Sequence, residues 1–342
     1  MLIEHLEKVL TRTDLTSHEM TGAMEAIMEG QVPEAQMAAF LAALRVKGET
    51  VIEIAEAARV MREKALPVKV SRRPLLDIVG TGGDGTGTFN ISTATALVVA
   101  ASGVYVAKHG NRSVSSRCGS ADVLEALGIP LLANPVDVAG CVERTGFGFI
   151  FAPYFHQAMR NVVPVRKALG LRTIFNVLGP LTNPARPEYQ LTGVFSPELV
   201  RPMAEVLGQL GIKRALVVHG HGGMDELSLS GPNRVSFLKD NVVKDLEICA
   251  NDAGLSQAED GYAMGGTSED NREIIEKIFG GEKGAHRDVV VLNAAASLMT
   301  AGKVDSLKVG ARMAEEVIDS GRAAEKVREV VAFCRSRQEG VA

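Results

Sequence analysis

Gly80-Thr-Gly-Gly-Asp-Gly-Thr-Gly-Thr-Phe-Asn-Ile-Ser-Thr93 follows the apolar run Leu75-Leu76-Asp77-Ile78-Val79 and precedes the Ala/Val/Leu-rich segment 94–101. That order reads as strand, glycine loop and helix. Five glycines fall within the nine residues from Gly80 to Thr88. They let the backbone take positive φ and bring its N–H groups close to a ligand. Successive amides backed by a helix N-terminus form an anion site. A plain surface loop would not need to leave the carboxyl end of a buried strand, where open α/β sheets bind ligands. The stretch is therefore read as a phosphate cradle.

Gly80, Gly82 and Gly85 fit the dinucleotide pattern G-x-G-x-x-G. That pattern also wants a helix directly after the third glycine and an acidic residue at the end of the next strand. Here Gly87 and Phe89-Asn90 intervene, and the next apolar run ends in Lys108-His109. A cation at that position suits a phosphate, not a ribose diol. No Lys-Ser/Thr pair follows Gly85 or Gly87, so the nucleoside-triphosphate P-loop is excluded as well.

Working outward, residues 1–66 read as helical. Thr16-x-x-Glu19 and Thr50-x-x-Glu53 are capping boxes, and Met20, Ala23, Met24, Ile27 and Met28 mark one apolar face. From Arg72 onward, strands expected at 75–79, 103–107, 147–151, 189–194, 214–218 and 288–292 alternate with helices. These helices are expected at 93–101, 120–127, 135–144, 197–210, 268–279 and over much of 293–336. This is the pattern of a mainly parallel central sheet. The fold class is α/β: a small all-helical N-terminal domain over 1–70 and a large α/β domain over 71–342. The Pro-rich segment 153–187 reads as a crossing between them, so part of 160–190 completes the helical domain.

The chain has 342 residues, 46% of them hydrophobic, and a net charge of −4. That is enough for one large core and a smaller lobe. The acidic balance, with a pI near 6.0, argues against a nucleic-acid partner. Cys118, Cys141, Cys249 and Cys334 show no C-x-x-C spacing and are expected to be free thiols. With no apolar run of membrane length, a soluble, cytoplasmic protein is expected.

Three further clusters carry chemistry. Lys108-His-Gly-Asn-Arg-Ser-Val-Ser-Ser116 offers two permanent cations and three hydroxyls beside the glycine loop, a mixture that holds phosphate and pyrophosphate. His219-Gly-His-Gly-Gly-Met-Asp225-Glu226 ends in adjacent carboxylates, which suit Mg²⁺ shared with phosphate oxygens. The Pro-rich crossing carries Phe151, Tyr154, Phe155, His156 and Arg160, then Pro164-Val-Arg166. It could form an aromatic wall for a flat, anionic acceptor.

Taken in order, Gly80-Thr-Gly-Gly-Asp84, Phe89-Asn-Ile-Ser-Thr93, Lys108-His-Gly-Asn-Arg112 with Ser115-Ser116, Pro164-Val-Arg166, Asn176-x-Leu-Gly-Pro-Leu-x-Asn-Pro-Ala185 and Asp225-Glu226 resemble the anthranilate phosphoribosyltransferases of tryptophan biosynthesis. The resemblance spans nearly the whole chain. It implies transfer of phosphoribose from PRPP to the anthranilate amine, with Mg²⁺ (two ions), in a homodimer. It implies a PRPP site at Gly80, Gly83, Asp84, Thr88, Asn90, Ile91, Ser92, Thr93, Lys108, His109, Gly110, Asn111, Arg112, Ser113, Val114, Ser115, Ser116 and Ser120. Anthranilate contacts are implied at Gly80, Asn111 and Arg166, with His109 and His156 nearby, and metal ligands at Ser92, Asp225 and Glu226. The chemistry is displacement at ribose C1, where stabilising the leaving pyrophosphate matters more than a strong base. No general base is assigned; Lys108, Asn111 and Arg166 are expected to stabilise the transition state. Gln157 stands where the family often has Pro, which affects the mouth of the acceptor channel. A pyrimidine nucleoside phosphorylase would show Lys-x-Ser-Thr-Gly-Gly-Val in place of the loop at Gly80 and is set aside.

Overall fold

The computed structural model describes residues 2–113 and 117–339. Four helices open the chain: α1 (Leu2–Leu10), α2 (Ser17–Met28), α3 (Glu34–Lys47) and α4 (Val51–Lys64). Both capping boxes form: Thr16 and Thr50 accept from the amides of Glu19 and Glu53, whose side chains reach back to the cap amides. Glu53 does more than cap. Fully buried, it also accepts from the Leu15 amide at 2.9 Å and the Lys47 ammonium at 2.9 Å. A polar group thus buried has its bonding satisfied, and it joins α3, α4 and the entry to α2.

The α/β part follows as β1 (Leu75–Gly80), α5 (Ile91–Ala101), β2 (Tyr105–Gly110), α6 (Ser120–Ala126), α7 (Pro135–Thr145) and β3 (Phe147–Phe151). Three short helices occupy the Pro-rich crossing: α8 (Ala152–Phe155), α9 (Val163–Leu169) and α10 (Phe175–Leu178). Then come β4 (Tyr189–Gly193), α11 (Val200–Gln209), β5 (Arg214–His219), β6 (Asn233–Lys239) and β7 (Val242–Ile248). Helices α12 (Ser268–Phe279), α13 (Ala285–Thr300), α14 (Leu307–Asp319) and α15 (Arg322–Glu339) finish the chain.

The sheet order is β3-β2-β1-β4-β5-β6-β7. The first five strands are parallel; β6 and β7 add on antiparallel. Successive connections run outward from β1 on one side and from β4 on the other. The β1–β4 junction is therefore the switch point, where open α/β sheets leave a crevice at the carboxyl ends. One apolar core fills the space around α5, α13 and strands β1 to β3. A second joins the N-terminal helices to Val162, Val165, Phe175 and Leu181 of the crossing and to one face of α11.

Two expectations are corrected. Residues 288–292 are not a strand but the first turns of α13, in which Val289, Val290, Val291 and Leu292 are all fully buried. A short β-branched run buried all round has no period to separate strand from helix. Strands β6 and β7 were not expected at all. Their hairpin turns at Asp240 and Asn241, both left-handed with φ 52° and 61°, the pair that a two-residue hairpin demands. In addition, β2 runs to Gly110 rather than ending near 107, so Lys108 and His109 lie inside the sheet.

Candidate active site

Gly80 and Gly193 end β1 and β4 side by side, and Asp225 lies across both. A Cβ on Gly193 would sit 1.3 Å from the Asp225 carbonyl oxygen, and one on Gly80 would sit 2.3 Å from its Oδ2. Glycine at these two positions is what lets the carboxylate approach the switch point. Beyond Gly80 the loop turns through Gly82, Gly83, Gly85 and Gly87, all with φ between 64° and 78°. The Gly82 amide donates to Asp225 Oδ2 at 2.7 Å. Asp84 accepts from the Thr86 amide and hydroxyl and, at 3.4 Å, from the Asp225 amide. The far end is fixed by Phe89 N to Ala263 O and by the Asn90 amide to Asn271 Oδ1 at 2.8 Å. Asn90 is the N-cap of α5, so the glycine loop leads directly into that helix's N-terminus.

Lys108 reaches into this crevice from β2. It is 1% exposed, and its ammonium donates to Ile78 O at 2.5 Å and to Ser92 Oγ at 3.2 Å. Burial pulls its pKa down to about 8, while Asp77, Glu226 and Asp225 act the other way. Asp84, Asp225 and Glu226 each bring an oxygen within 4.8 Å of the others. Burial, and then repulsion from Asp84, lifts Asp225 to about 6; burial, then the neighbouring carboxylates, lifts Glu226 well above its usual value. Glu226 Oε2 is buried with no partner among the described residues. A hollow of about 10 Å³ is lined by Ser92, Asp225, Glu226 and Asn293, room for about one water-sized sphere. Three hard-oxygen donors, one of them unsatisfied, fit a Mg²⁺-type ion. Sequence reasoning grouped Asp84 with the phosphate donors; the structure places it with the two other carboxylates.

Farther along β2, His109 Nδ1 lies 3.2 Å from Gly179 O, and its ring centroid is 5.1 Å from that of His156. Burial holds His156 down to about 4; burial, then the proximity of His156, holds His109 well below its ordinary value. Both rings are neutral at pH 7. Arg166 is half-buried with its Cζ 5.7 Å from the Phe175 ring centroid. Among the described residues no carboxylate lies within ion-pair distance of it. It is therefore a cation without a counter-ion, on a wall of aromatic and apolar groups.

The family model described as the glycosyl transferase family a/b domain matches residues 72–324, and the one for its helical bundle domain matches residues 3–65. The anthranilate phosphoribosyltransferase of Petrotoga mobilis is 54% identical over 329 residues, 96% of either chain. The chain belongs to the anthranilate phosphoribosyltransferase family. A crystal structure of that enzyme from Thermus thermophilus superposes with a TM-score of 0.92 at 49% identity, covering 96% of this chain and 99% of that one. The Saccharomyces cerevisiae enzyme, solved in complex with PRPP and Mg, gives a TM-score of 0.90 at 29% identity over 98% of both chains. The yeast enzyme has also been solved with 4-fluoroanthranilate.

The remaining residues singled out from the sequence are placed as follows. Thr88 bridges to Met264, and the side chains of Ile91 and Thr93 are fully buried in α5. Gly110 packs tightly under Phe149 and Ser120. Asn111 Oδ1 accepts from the Arg112 amide, and the Asn111 carbonyl accepts from Ala121, one residue into α6 from Ser120. The Arg112 guanidinium pairs with Asp122 at 2.7 Å and Glu125 at 2.6 Å, and the Ser113 amide donates to Asp122. Val114, Ser115 and Ser116 lie outside the described residues. Gln157 is exposed at the start of a short 3₁₀ turn.

Three residues of the crevice were missed. Asp77, fully buried, accepts from the His109 amide at 3.1 Å and from Asn183 Nδ2 at 2.8 Å, and Asn183 also donates to Ala107 O. The signal was present: a lone carboxylate inside the run Leu75–Val79. Arg172, from the crossing, donates to the Gly83 carbonyl and stacks 4.2 Å from the Phe195 ring centroid. It connects the crossing to the glycine loop.

Proposed function

We propose that this chain transfers the phosphoribosyl group of PRPP to the amine of anthranilate, giving N-(5-phosphoribosyl)anthranilate and pyrophosphate in tryptophan biosynthesis. The observation that carries this reading is the buried Lys108 ammonium, held between the glycine loop, the α5 N-terminus and the Asp84–Asp225–Glu226 cluster. Amides of the loop and of α5, with Lys108, would take the phosphates. Ser92, Asp225 and Glu226, joined by Asp84, would hold Mg²⁺, two ions in this reading. The metal supplies charge neutralisation on the leaving pyrophosphate. Lys108 adds a donor preorganised in a dry site, where it is worth more than in water.

Arg166 would grip the anthranilate carboxylate in two-pronged fashion, with neutral His109 and His156 lining the path and Asn111 and Gly80 completing the contact. Keeping those imidazoles uncharged avoids a competing cation beside the amine, which is already nucleophilic. No proton acceptor is required of the protein.

The domain boundary of this reading lies near residue 70, with part of 160–190 returning to the helical domain. Dimerisation through the helical lobe is supported by Ile3, Leu10, Val46, Val163 and Leu171, all at least half exposed. Helix α1 packs on α3 and α3 on α9, so these side chains come from adjoining elements. No described helix is long and apolar enough to cross a membrane; a cytoplasmic location without nucleic-acid partners completes the proposal. Loss of anthranilate fluorescence on adding PRPP and Mg²⁺ tests the reaction. No loss at any Mg²⁺ concentration would overturn it. A monomer by light scattering at micromolar concentration would overturn the dimer.

A further inference from the structure

A cavity of about 280 Å³ opens at the amino ends of β4 and β5, at the other end of the sheet from the glycine loop. Arg59, Arg62 and Glu63 of α4, Arg186 to Glu188 before β4, and the turn that ends α11 line it. Three guanidinium groups therefore meet where the helical lobe touches the sheet. Arg62 is 9% exposed; its Nε donates to Leu181 O at 2.6 Å and its Nη1 to Leu210 O at 3.2 Å. Its Nη2 is buried and has no partner among the described residues.

Glu188 is engaged away from the cavity, held by Arg73 at 3.1 Å and the Leu75 amide at 2.8 Å, whereas Glu56 already serves Arg59 as counter-ion. Glu63 is exposed. Among the described residues no carboxylate lies within ion-pair distance of the Arg186 guanidinium. Burial, and then the charge of Arg186, lowers the Arg62 pKa to about 10, with Asp77 acting the other way and Arg59 adding a smaller fall. Capping the end of α11 explains one donor of Arg62, to Leu210 O, and one weak bond of Arg59 to Gln209 O at 3.4 Å; a second Arg62 donor ties α4 to Leu181 O of the crossing. It does not explain the orphaned Nη2 or the convergence of Arg186. An unsatisfied buried donor is normally met by an acceptor, and guanidinium forks match phosphate oxygens.

We propose that this cavity is a second anion site, taking the phosphate of free phosphate or of a small phosphate ester, separate from the PRPP crevice. The test uses the full chain and two probes, inorganic phosphate and glycerol 3-phosphate, titrated calorimetrically with and without saturating PRPP and Mg²⁺. Wild type should keep one phosphate site when PRPP fills the crevice. Arg59→Gln with Arg186→Asn should weaken that site at least tenfold while anthranilate transfer stays within twofold. Asn tolerates the left-handed backbone at 186, where φ is 48°, so the variant should fold. The tighter probe identifies free ion or ester as the source. In crystals soaked with selenate, density should lie within hydrogen-bond reach of Arg62 Nη2. Displacement of all phosphate by PRPP, or unchanged binding in the double variant, would overturn the site. Absence of transferase activity would overturn only the functional reading above, since this titration does not depend on turnover.

Discussion

Asp77→Asn isolates a charge that the fold keeps in a costly place. The carboxyl is fully buried, and burial raises it from 3.8 to about 6, with Asn183, Lys108 and the His109 amide opposing the rise. A carboxyl whose folded value lies above its unfolded one contributes most stability below the unfolded value. That contribution is lost as pH rises through 3.8 to about 6. The gap corresponds to about 3 kcal/mol. Asparagine does not titrate, so the variant's stability relative to wild type should rise by about 2.5 kcal/mol between pH 4 and pH 7.5. Against this, the new amide presents a donor toward Asn183 Nδ2, which now donates at 2.8 Å, at a cost of about 1.5–3 kcal/mol. The two proteins should therefore be nearly equally stable at pH 7.5, with the variant clearly weaker at pH 4.5. Urea melts of both proteins at four pH values measure the difference, in which all other titrating groups cancel. A stability difference independent of pH would refute the reasoning, because Asp77 would then titrate like an exposed carboxyl.

Asp225→Asn with Glu226→Gln should leave a folded protein whose Mg²⁺-dependent turnover falls at least about a hundredfold, consistent with several kcal/mol of charge stabilisation; near-normal turnover at low Mg²⁺ would show that the cluster does not hold the ion. Arg166→Ala should raise the apparent KM for anthranilate about ten- to a hundredfold, the loss of a charge-assisted contact, with that for PRPP unchanged and Arg166→Lys recovering part. Equal rises for both substrates with a lowered melting temperature would make Arg166 a structural residue instead. Gly193→Ala leaves its Cβ 1.3 Å from the Asp225 carbonyl oxygen, so it should displace Asp225 and cost a few kcal/mol; a variant with normal melting and normal Mg²⁺ dependence would count against the close approach.

The strand–loop–helix unit at 75–101 was legible because its signals are local: an apolar run, dense glycine and a helix-forming tail. The same holds for the four N-terminal helices, two of them announced by capping boxes. Strands β6 and β7 were missed for the opposite reason. Five of the seven residues of β7 are exposed, so it shows no buried face, and only the Asp240-Asn241 turn marks the hairpin. Residues 288–292 misled because their environment is uniformly apolar: α13 packs against α5 and α14, and periodicity vanishes when every face is buried. In the site, the motifs did not show which residues would keep company. That Asp84 joins Asp225 and Glu226, 141 and 142 positions later, follows from the β1–β4 junction, which no spacing encodes. The reading of Arg112 as a phosphate ligand came from its neighbours in sequence, and the two carboxylates that α6 brings to it could not be read there.

The arrangement of charge explains why the crevice sits at the switch point. Lys108 is flanked by Asp77 within the sheet and by Asp225 and Glu226 beyond the carboxyl ends of its strands, so one ammonium faces more than one buried carboxyl group. By itself that cluster is unfavourable, as the raised values of Asp225 and Glu226 record. The backbone accommodates it because Gly82 donates to Asp225 and because Gly80 and Gly193 leave room for the carboxylate. In the proposed reading a divalent cation would relieve the excess negative charge, and a phosphate would then find Lys108, loop amides and a helix N-terminus already oriented. In the same reading the acceptor carboxylate would meet a different cation, Arg166, carried on the crossing rather than on the sheet. Arg172 joins that crossing to the Gly83 carbonyl, so the element carrying Arg166 is tied to the glycine loop. Positioning two anions on separate cations, linked by one hydrogen bond, is how the proposed site would bring an amine and a ribose carbon together without neutralising either partner's grip.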